Sequence, residues 1–173
     1  MLMACMTAAS AQVYSSENIG DIELPDGMTV INEETDDDSV TLTLKLNGRD
    51  DCGFGVRFAY YEDYEGITTN SMSDDLFAEI YDYYTSYLDC SKNAEPQILD
   101  ITDGDPDYAD LNPLMVCGTS RSTGELYLYY ELIYDGWDIT VFGGTSAKQF
   151  DQDSAGAAFN LYFCALEAMM EEE

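Results

Sequence analysis

Carboxylates are the side chains of this sequence with the most evident capacity for chemistry. They are densest in the segment DGDPD at 103–107 and the residues after it. Alternating oxygen atoms on a flexible loop are the ligands that Ca²⁺ prefers. The predicted metal ligands are therefore Asp103, Asp105, Asp107 and Asp110. The segment is not an EF-hand, because its sixth position is Tyr108 and its twelfth is Leu114. A solvated turn is the alternative interpretation.

No arrangement of residues predicts an enzyme. Histidine is absent, which removes the usual general base and the Ser–His and Cys–His nucleophile pairs. Two acids can hydrolyse a glycoside, but none of the 35 acidic residues is marked as a pair. We predict no catalytic residue and no cofactor, with calcium as the alternative. A deep pocket in which two acids converge would contradict this interpretation.

The cysteines permit two disulfides if the chain is exported. Cys52, Cys90, Cys117 and Cys164 allow three pairings. Cys52 and Cys90 both stand at the ends of predicted elements, so we predict that they pair. The other two occupy apolar segments, where buried thiols are the alternative.

The first eleven residues are predicted to be the remainder of a signal peptide. They are small and apolar and end in Ala9-Ser10-Ala11, which fits cleavage after Ala11. This indicates a secreted or periplasmic protein. Lipidation of Cys5, which would anchor the chain to a membrane, is one alternative; a frayed tail without a targeting role is another. No later apolar run is long enough to span a bilayer.

Charge limits the partners of the chain. There are 35 acidic and 6 basic residues, a formal net charge of −29, which repels nucleic acids and anionic membranes. Cations, basic proteins and neutral ligands remain as partners. Hydrophobic residues make up 46% of the chain, too many for a disordered acidic tail. We expect residues 12–173 to form a single domain.

Hydrophobic periodicity predicts an α+β fold. Apolar residues alternate in two predicted hairpins, over residues 39–60 and 125–142. Helical spacing predicts helices over 71–88 and 154–170, the first starting at a capping box over 71–74. An antiparallel sheet of about 6–8 strands, packed by both helices, is the natural closure.

Tyrosine is abundant near the first helix and at a strand end before it. The residues concerned are Tyr60, Tyr61, Tyr64, Tyr81, Tyr83, Tyr84 and Tyr87. Exposed tyrosines beside acids can recognise sugars or a protein partner. Because these residues also follow strand and helix spacing, packing in or beside the core is the preferred interpretation.

The order of elements resembles the Mog1/PsbP-like domains. Three pieces carry the resemblance: the LPDGM turn at 24–28, the mid-chain helix at 71–88, and the DGWDITVF strand at 135–142 that leads into the last helix. The resemblance implies a non-enzymatic binding or assembly module without catalytic residues to carry over. The chain departs from this family in its acidity, its cysteines and its tyrosine content.

These observations predict an exported, non-enzymatic, acidic module that binds a protein partner or assists assembly. The alternative is a binding module that depends on a divalent cation, and a carboxylate-based hydrolase is the third class. The sequence leaves the oligomeric state open.

Overall fold

The computed structural model describes residues 12–89, 96–106 and 108–171. The strands are β1 (Gln12–Ser16), β2 (Gly20–Leu24), β3 (Met28–Thr35), β4 (Ser39–Leu46), β5 (Cys52–Tyr60), β6 (Leu88–Asp89), β7 (Gln97–Ile98), β8 (Leu114–Ser120), β9 (Leu126–Tyr134) and β10 (Trp137–Thr145). The helices are α1 (Asp74–Tyr87) and α2 (Gln152–Glu171), with 3-10 turns at Glu62–Tyr64 and Ala109–Leu111. The α+β class predicted from the sequence is confirmed.

Eight of the strands form one antiparallel sheet. Its order is β3-β4-β5-β10-β9-β8-β6, and β7 pairs with the other end of β8. Strands β1 and β2 pair in a separate two-stranded sheet. The prediction of a sheet of about 6–8 strands is therefore confirmed.

Both predicted hairpins form. Strands β4 and β5 pair directly, as do β9 and β10. The second hairpin turns at Asp135 and Gly136, whose φ angles of 45° and 93° are those that a tight two-residue turn requires. The central position of β9 and β10 follows from the apolar residues on both faces of β9.

The larger core lies between α2 and one face of the sheet. Tyr130 of β9 packs against Phe159 and Tyr162 of α2. The Tyr162 hydroxyl donates a hydrogen bond of 2.7 Å to the backbone carbonyl of Leu111, which satisfies its polar atom in the core. Small residues of α2, including the fully buried Ala158, let the helix lie close to the sheet.

Helix α1 packs on the opposite face, because neighbouring residues of a strand point to opposite sides. Tyr129 contacts Tyr84 of α1, whereas Tyr130 faces α2. Within α1, only Ile80 and Tyr84 are buried. Helix α1 lies over the β8–β9 side of this face, and the part formed by β10, β5 and β4 is left open.

The start of α1 differs from the prediction. The N-cap is Ser73, whose hydroxyl accepts a hydrogen bond of 3.2 Å from the backbone amide of Leu76. Ser71, the first residue of the predicted capping box, instead accepts one from the amide of Thr68. The two serines have the same capping chemistry, and the preceding turn decides between them.

Strand β1 was not predicted. Its backbone pairs with β2, and its side chains also contact β3. Tyr14 and Ser16 donate hydrogen bonds of 2.7 Å and 2.9 Å to the two carboxylate oxygens of Glu33. These bonds lower the pKa of Glu33, with the largest contribution from Tyr14.

Candidate functional site

The open part of the α1 face forms a groove of about 770 Å³, which we call the α1 groove. Its floor is the sheet surface of β4, β5, β10 and β9. Its wall is formed by α1 through Leu76, Glu79, Ile80, Tyr83, Tyr84 and Tyr87. Tyr61 and Tyr64, which follow β5, also line it.

A row of polar side chains crosses the floor of the α1 groove. The register places Thr41, Arg57, Thr140 and Glu131 directly opposite one another on four adjacent strands. Asp138 lies two residues before Thr140, on the same face of β10. Diagonal neighbours of this kind have Cα atoms about 7–8 Å apart. The fold therefore makes Glu131 and Asp138 neighbours in one groove.

Asp138 is well supplied with partners. Its carboxylate accepts hydrogen bonds of 3.3 Å from the Arg57 guanidinium and from the Thr140 hydroxyl. Arg57 also donates to the Tyr61 hydroxyl, and its guanidinium carbon lies 5.8 Å from the centre of the Tyr61 ring. The positive charge of Arg57 is thus directed at Asp138.

The carboxyl group of Glu131 is less completely hydrogen-bonded than that of Asp138. It is only 8% exposed, and its Oε2 is the one buried side-chain polar atom in the described residues without a hydrogen-bond partner. Burial, followed by the charge of Asp138, raises the pKa of Glu131 to about 7. Hydrogen bonding with Tyr84 and the charge of Arg57 oppose this rise. The buried carboxyl therefore keeps its proton to a higher pH than an exposed glutamate does.

Burial also acts on the other groups near Glu131. It raises the pKa of Asp138, against the opposing effect of Arg57. It raises the pKa of Tyr84 well above its usual value, helped by the negative charge of Glu131. Tyr84 is consequently a neutral phenol that can donate a hydrogen bond across the physiological pH range.

Aromatic rings cover the floor next to the polar row. Tyr129 of β9 lies opposite Phe142 of β10, with ring centres 6.1 Å apart. Tyr127 stacks beside Tyr129 at 6.0 Å. The outer end of the Phe142 ring lies over Gly55 of β5, where a Cβ atom would overlap it. The groove therefore combines a polar end and an aromatic end.

The carboxylates predicted to bind calcium lie elsewhere. Asp103 stands in a turn with φ of 53°, and the Asp105 amide donates to the Thr102 carbonyl at 3.1 Å. Asp110 accepts a hydrogen bond of 3.0 Å from the Thr68 hydroxyl. Asp107 lies outside the described residues. In the ranges that are described, no three acids or cysteines are grouped to hold a metal ion. The four-residue calcium site stays a prediction.

The predicted Cys52–Cys90 disulfide also stays a prediction, because Cys90 lies outside the described residues. Cys52 has a free thiol and begins β5. The register places it four strand spacings, about 19 Å, from Asp89. Cys117 and Cys164 are both partly buried.

Residues 1–11, with the predicted cleavage site and Cys5, are likewise outside the described part of the chain. Neither described helix combines the length and apolar character needed to cross a membrane.

The preferred interpretation placed the tyrosines in or beside the core, and several of them lie at its margin, where they line the α1 groove. Tyr83 and Tyr87 are 67% and 42% exposed, whereas Tyr84 is buried. Glu131 and Asp138, which line the α1 groove, are each only 8% exposed, although acidic side chains are rarely buried unless they are paired. The α1 groove brings two acids together, but it is open to solvent, and Glu131 and Asp138 project side by side from its floor, so it is not the deep pocket with converging acids that would contradict a non-enzymatic interpretation.

Sequence reasoning did not identify Glu131, Asp138 or Arg57, although a signal was present. Glu131 is the only acid in the otherwise apolar strand LYLYYELIY. Arg57 is one of only 6 basic residues and stands inside an apolar strand. A charged residue inside a central strand requires a partner or a function. The sequence does not show which strands become neighbours, so it does not reveal that these three residues lie in one groove.

Comparison with known proteins gives a similar layout but no family assignment. No model of a known protein family matches the chain, and no curated protein matches it. Among solved structures, the chain is similar to the solution structure of cyanobacterial PsbP (CyanoP) from Synechocystis sp. PCC 6803. The two are 13% identical, the similarity covers 97% of this chain and 96% of that chain, and the TM-score is 0.41. The likeness is one of chain layout.

Proposed function

We propose that the protein is a non-enzymatic module that binds a partner protein through the α1 groove, and that it acts outside the cytoplasm. One observation carries the first part. The groove is wide, borders solvent, and presents tyrosine rings such as Tyr83, which is 67% exposed. Tyrosine is enriched at protein interfaces because its ring supplies apolar area and its hydroxyl a polar contact. The Ala9-Ser10-Ala11 pattern supports the second part.

The test is capture of a partner by the tagged protein at low and high salt, with a matched pair of variants. Tyr83→Ala removes an exposed tyrosine of the α1 groove. Tyr108→Ala removes a tyrosine that is 54% exposed and lies outside it. We expect Tyr83→Ala to reduce capture at least tenfold and Tyr108→Ala to leave it within twofold. Equal capture by both variants, or no specific partner at either salt concentration, would contradict the proposal.

A carboxylate-based hydrolase is the second candidate, because Glu131 and Asp138 are neighbours in the α1 groove. Glycoside hydrolysis uses two carboxyl groups that flank the scissile bond. Here both project from adjacent strands of one floor, so they approach a bound molecule from the same side. In addition, Arg57 is paired with Asp138. This geometry favours binding over hydrolysis.

Assays with chromogenic glycosides and esters distinguish these candidates. The binding module is expected to give no turnover above that of Glu131→Gln. Turnover by the native protein that is abolished in Glu131→Gln and in Asp138→Asn would establish the hydrolase instead.

The calcium-dependent module is tested separately, by calorimetric titration of the full chain. Heat of binding, together with a rise in melting temperature at millimolar calcium, would support it. Absence of both would exclude it. If calcium binds, Asp110→Asn should weaken the binding.

A further inference from the structure

We propose that the α1 groove recognises a basic side chain, lysine or arginine, of the partner protein, with its charged end at Glu131 and its aliphatic stem over Tyr129 and Phe142. The inference rests on the proposed function and specifies the chemistry of the group that the groove accepts.

The unpartnered oxygen of Glu131 is the first observation that points to such a ligand. Oε2 is buried, lacks a hydrogen-bond partner and belongs to a side chain that lines the α1 groove. An unsatisfied buried acceptor costs free energy in the unbound protein. A donor that enters the groove and reaches this oxygen recovers that free energy on binding. A charged donor recovers more than a neutral one, because hydrogen bonds between ionised groups are stronger.

The negative charge of the α1 groove favours a cationic hydrogen-bond donor over a neutral one. Among the described residues that line the groove, Arg57 is the only basic one. Glu79, Glu131 and Asp138 are acids, which makes the formal charge of this set −2. Since Arg57 is engaged with Asp138 and Tyr61, its charge offsets that of Glu131 only in part. The protein as a whole carries a net charge of −29, which attracts basic partners.

The aromatic end of the α1 groove suits the rest of such a side chain. Tyr129 and Phe142 occupy the next row of the floor, two residues, or about 7 Å, along the strands from Glu131 and Thr140. Lysine and arginine lay their stems along apolar surfaces and keep their charged ends in polar surroundings. Ring faces of tyrosine also attract cations. One extended basic side chain thus meets both ends of the groove.

Protonation of Glu131 links this binding to pH. The groups that face it are Tyr84 and Glu79 of α1, Asp138 of β10, Arg57 of β5, and Tyr64. A cation binds the ionised carboxylate, and the pKa of Glu131 is raised to about 7 in the unbound protein. Affinity for the cation should therefore fall as the pH decreases from 8 to 5.

The experiment is an NMR titration of the full chain with three small probes. N-acetyl-lysine methylamide and N-acetyl-arginine methylamide carry the cation, and N-acetyl-norleucine methylamide supplies a similar stem without charge. We expect the cationic probes to shift resonances of residues around Glu131 and to bind at least tenfold more tightly than the neutral probe. Equal binding of the charged and neutral probes, or no binding of either, would overturn the inference.

Two variants with the same change of charge complete the test. Glu131→Gln should lower the affinity for both cationic probes at least tenfold and leave the affinity for the norleucine probe unchanged. Glu167→Gln removes an exposed acid of α2, on the other side of the sheet, and should change affinity by less than twofold. Equal weakening by both variants would assign the effect to overall charge and overturn the inference.

Partner capture separates this inference from the proposed function. If Tyr83→Ala no longer captures the partner while Glu131→Gln still does, the groove contacts the partner protein without recognising a basic side chain. Such a result rejects the inference and leaves the proposed function standing. Loss of the partner in both variants is expected if both are correct.

Discussion

On one face of the sheet, α2 covers the strands over 20 residues and closes a continuous apolar core. On the other face, α1 spans 14 residues, buries two side chains of its own and leaves a groove. The strands are shared, so the difference comes from alternate residues of the same segments. In β9, Leu128, Tyr130 and Leu132 face α2, whereas the intervening residues, Glu131 among them, face α1.

This difference separates stability from binding within one sheet. Burial of apolar area against α2 supplies the larger part of the stabilisation, because the hydrophobic contribution scales with that area. The α1 face contains buried acids with raised pKa values, which oppose folding when they ionise. Groups that lower stability are expected where a ligand compensates for them.

The largest expected effect is the contrast between two leucines. Leu161→Ala removes a fully buried side chain of α2 and should lower the free energy of unfolding by about 2–5 kcal/mol. Leu76→Ala removes a partly buried side chain of α1 beside the α1 groove and should lower it by about 1 kcal/mol or less. Urea unfolding at pH 7 measures both. Equal losses of unfolding free energy in the two variants would show that the two faces of the sheet contribute equally to stability.

The second prediction concerns Glu131→Gln and pH. The native protein retains the Glu131 proton up to a pKa of about 7, whereas the unfolded chain loses it near 4.5. Retention of this proton by the folded protein adds to the free energy of unfolding. The addition is complete below about pH 4.5 and is lost as the pH rises through 7. The difference corresponds to about 3 kcal/mol, and glutamine, which mimics the protonated acid, should recover part of it above pH 7.

Urea unfolding of Glu131→Gln at pH 5 and pH 8 tests this prediction. The variant should exceed the native protein in stability at pH 8 and differ little from it at pH 5. Asp82→Asn, which removes an exposed acid of α1 that is not part of the groove lining, is the control and should show no such dependence. A variant less stable than the native protein at pH 8 would mean that ionised Glu131 stabilises the fold.

A third prediction uses two glycines of β5. Gly55→Ala places a methyl group where the Phe142 ring lies, so the ring must move, at about 1–3 kcal/mol. Gly53→Ala meets open space and should alter the free energy of unfolding by less than about 0.5 kcal/mol. Thermal unfolding measures the difference, and NMR reports displacement of Phe142. Equal stability of the two variants would indicate that the α1 groove floor adapts freely.

The smallest expected effect is at the start of α1. Ser73→Ala removes the hydroxyl that accepts from the Leu76 amide and should destabilise the protein by about 1 kcal/mol. Ser73→Asp keeps an acceptor at this position and should retain native stability. Thermal unfolding of the pair checks the assignment of the N-cap. Equal stability of Ser73→Ala and Ser73→Asp would show that the N-cap hydrogen bond contributes nothing measurable to the stability of the protein.

Elements with a strong period were predictable from the sequence. Alternation in β4, β5, β9 and β10 is a local property that burial of one face requires, and the helices follow from their own spacing. Strand β1 was missed because its sequence, QVYSS, contains no alternation of apolar and polar residues. The N-cap was misplaced by two residues because both serines are good caps.

The site was less predictable than the fold. The dense acids at 103–107 form a group that is visible because they are adjacent in sequence, and the calcium site predicted there stays a prediction, since Asp107 lies outside the described residues. Glu131 and Asp138 are seven residues apart on either side of a turn, and Arg57 is far from both in sequence. Their meeting depends on β10 pairing with both β5 and β9.

The sequence alone determined the class of fold, the positions of both helices and the two hairpins, because local periodicity and turn residues specify them. Only the tertiary structure decided which face each helix covers and how much of that face it leaves open. Tertiary packing also placed a buried acid, with one oxygen that lacks a hydrogen-bond partner among the described residues, beside exposed tyrosines. The physical reason is that strand order and register act over long separations in the chain, where local patterns carry no information.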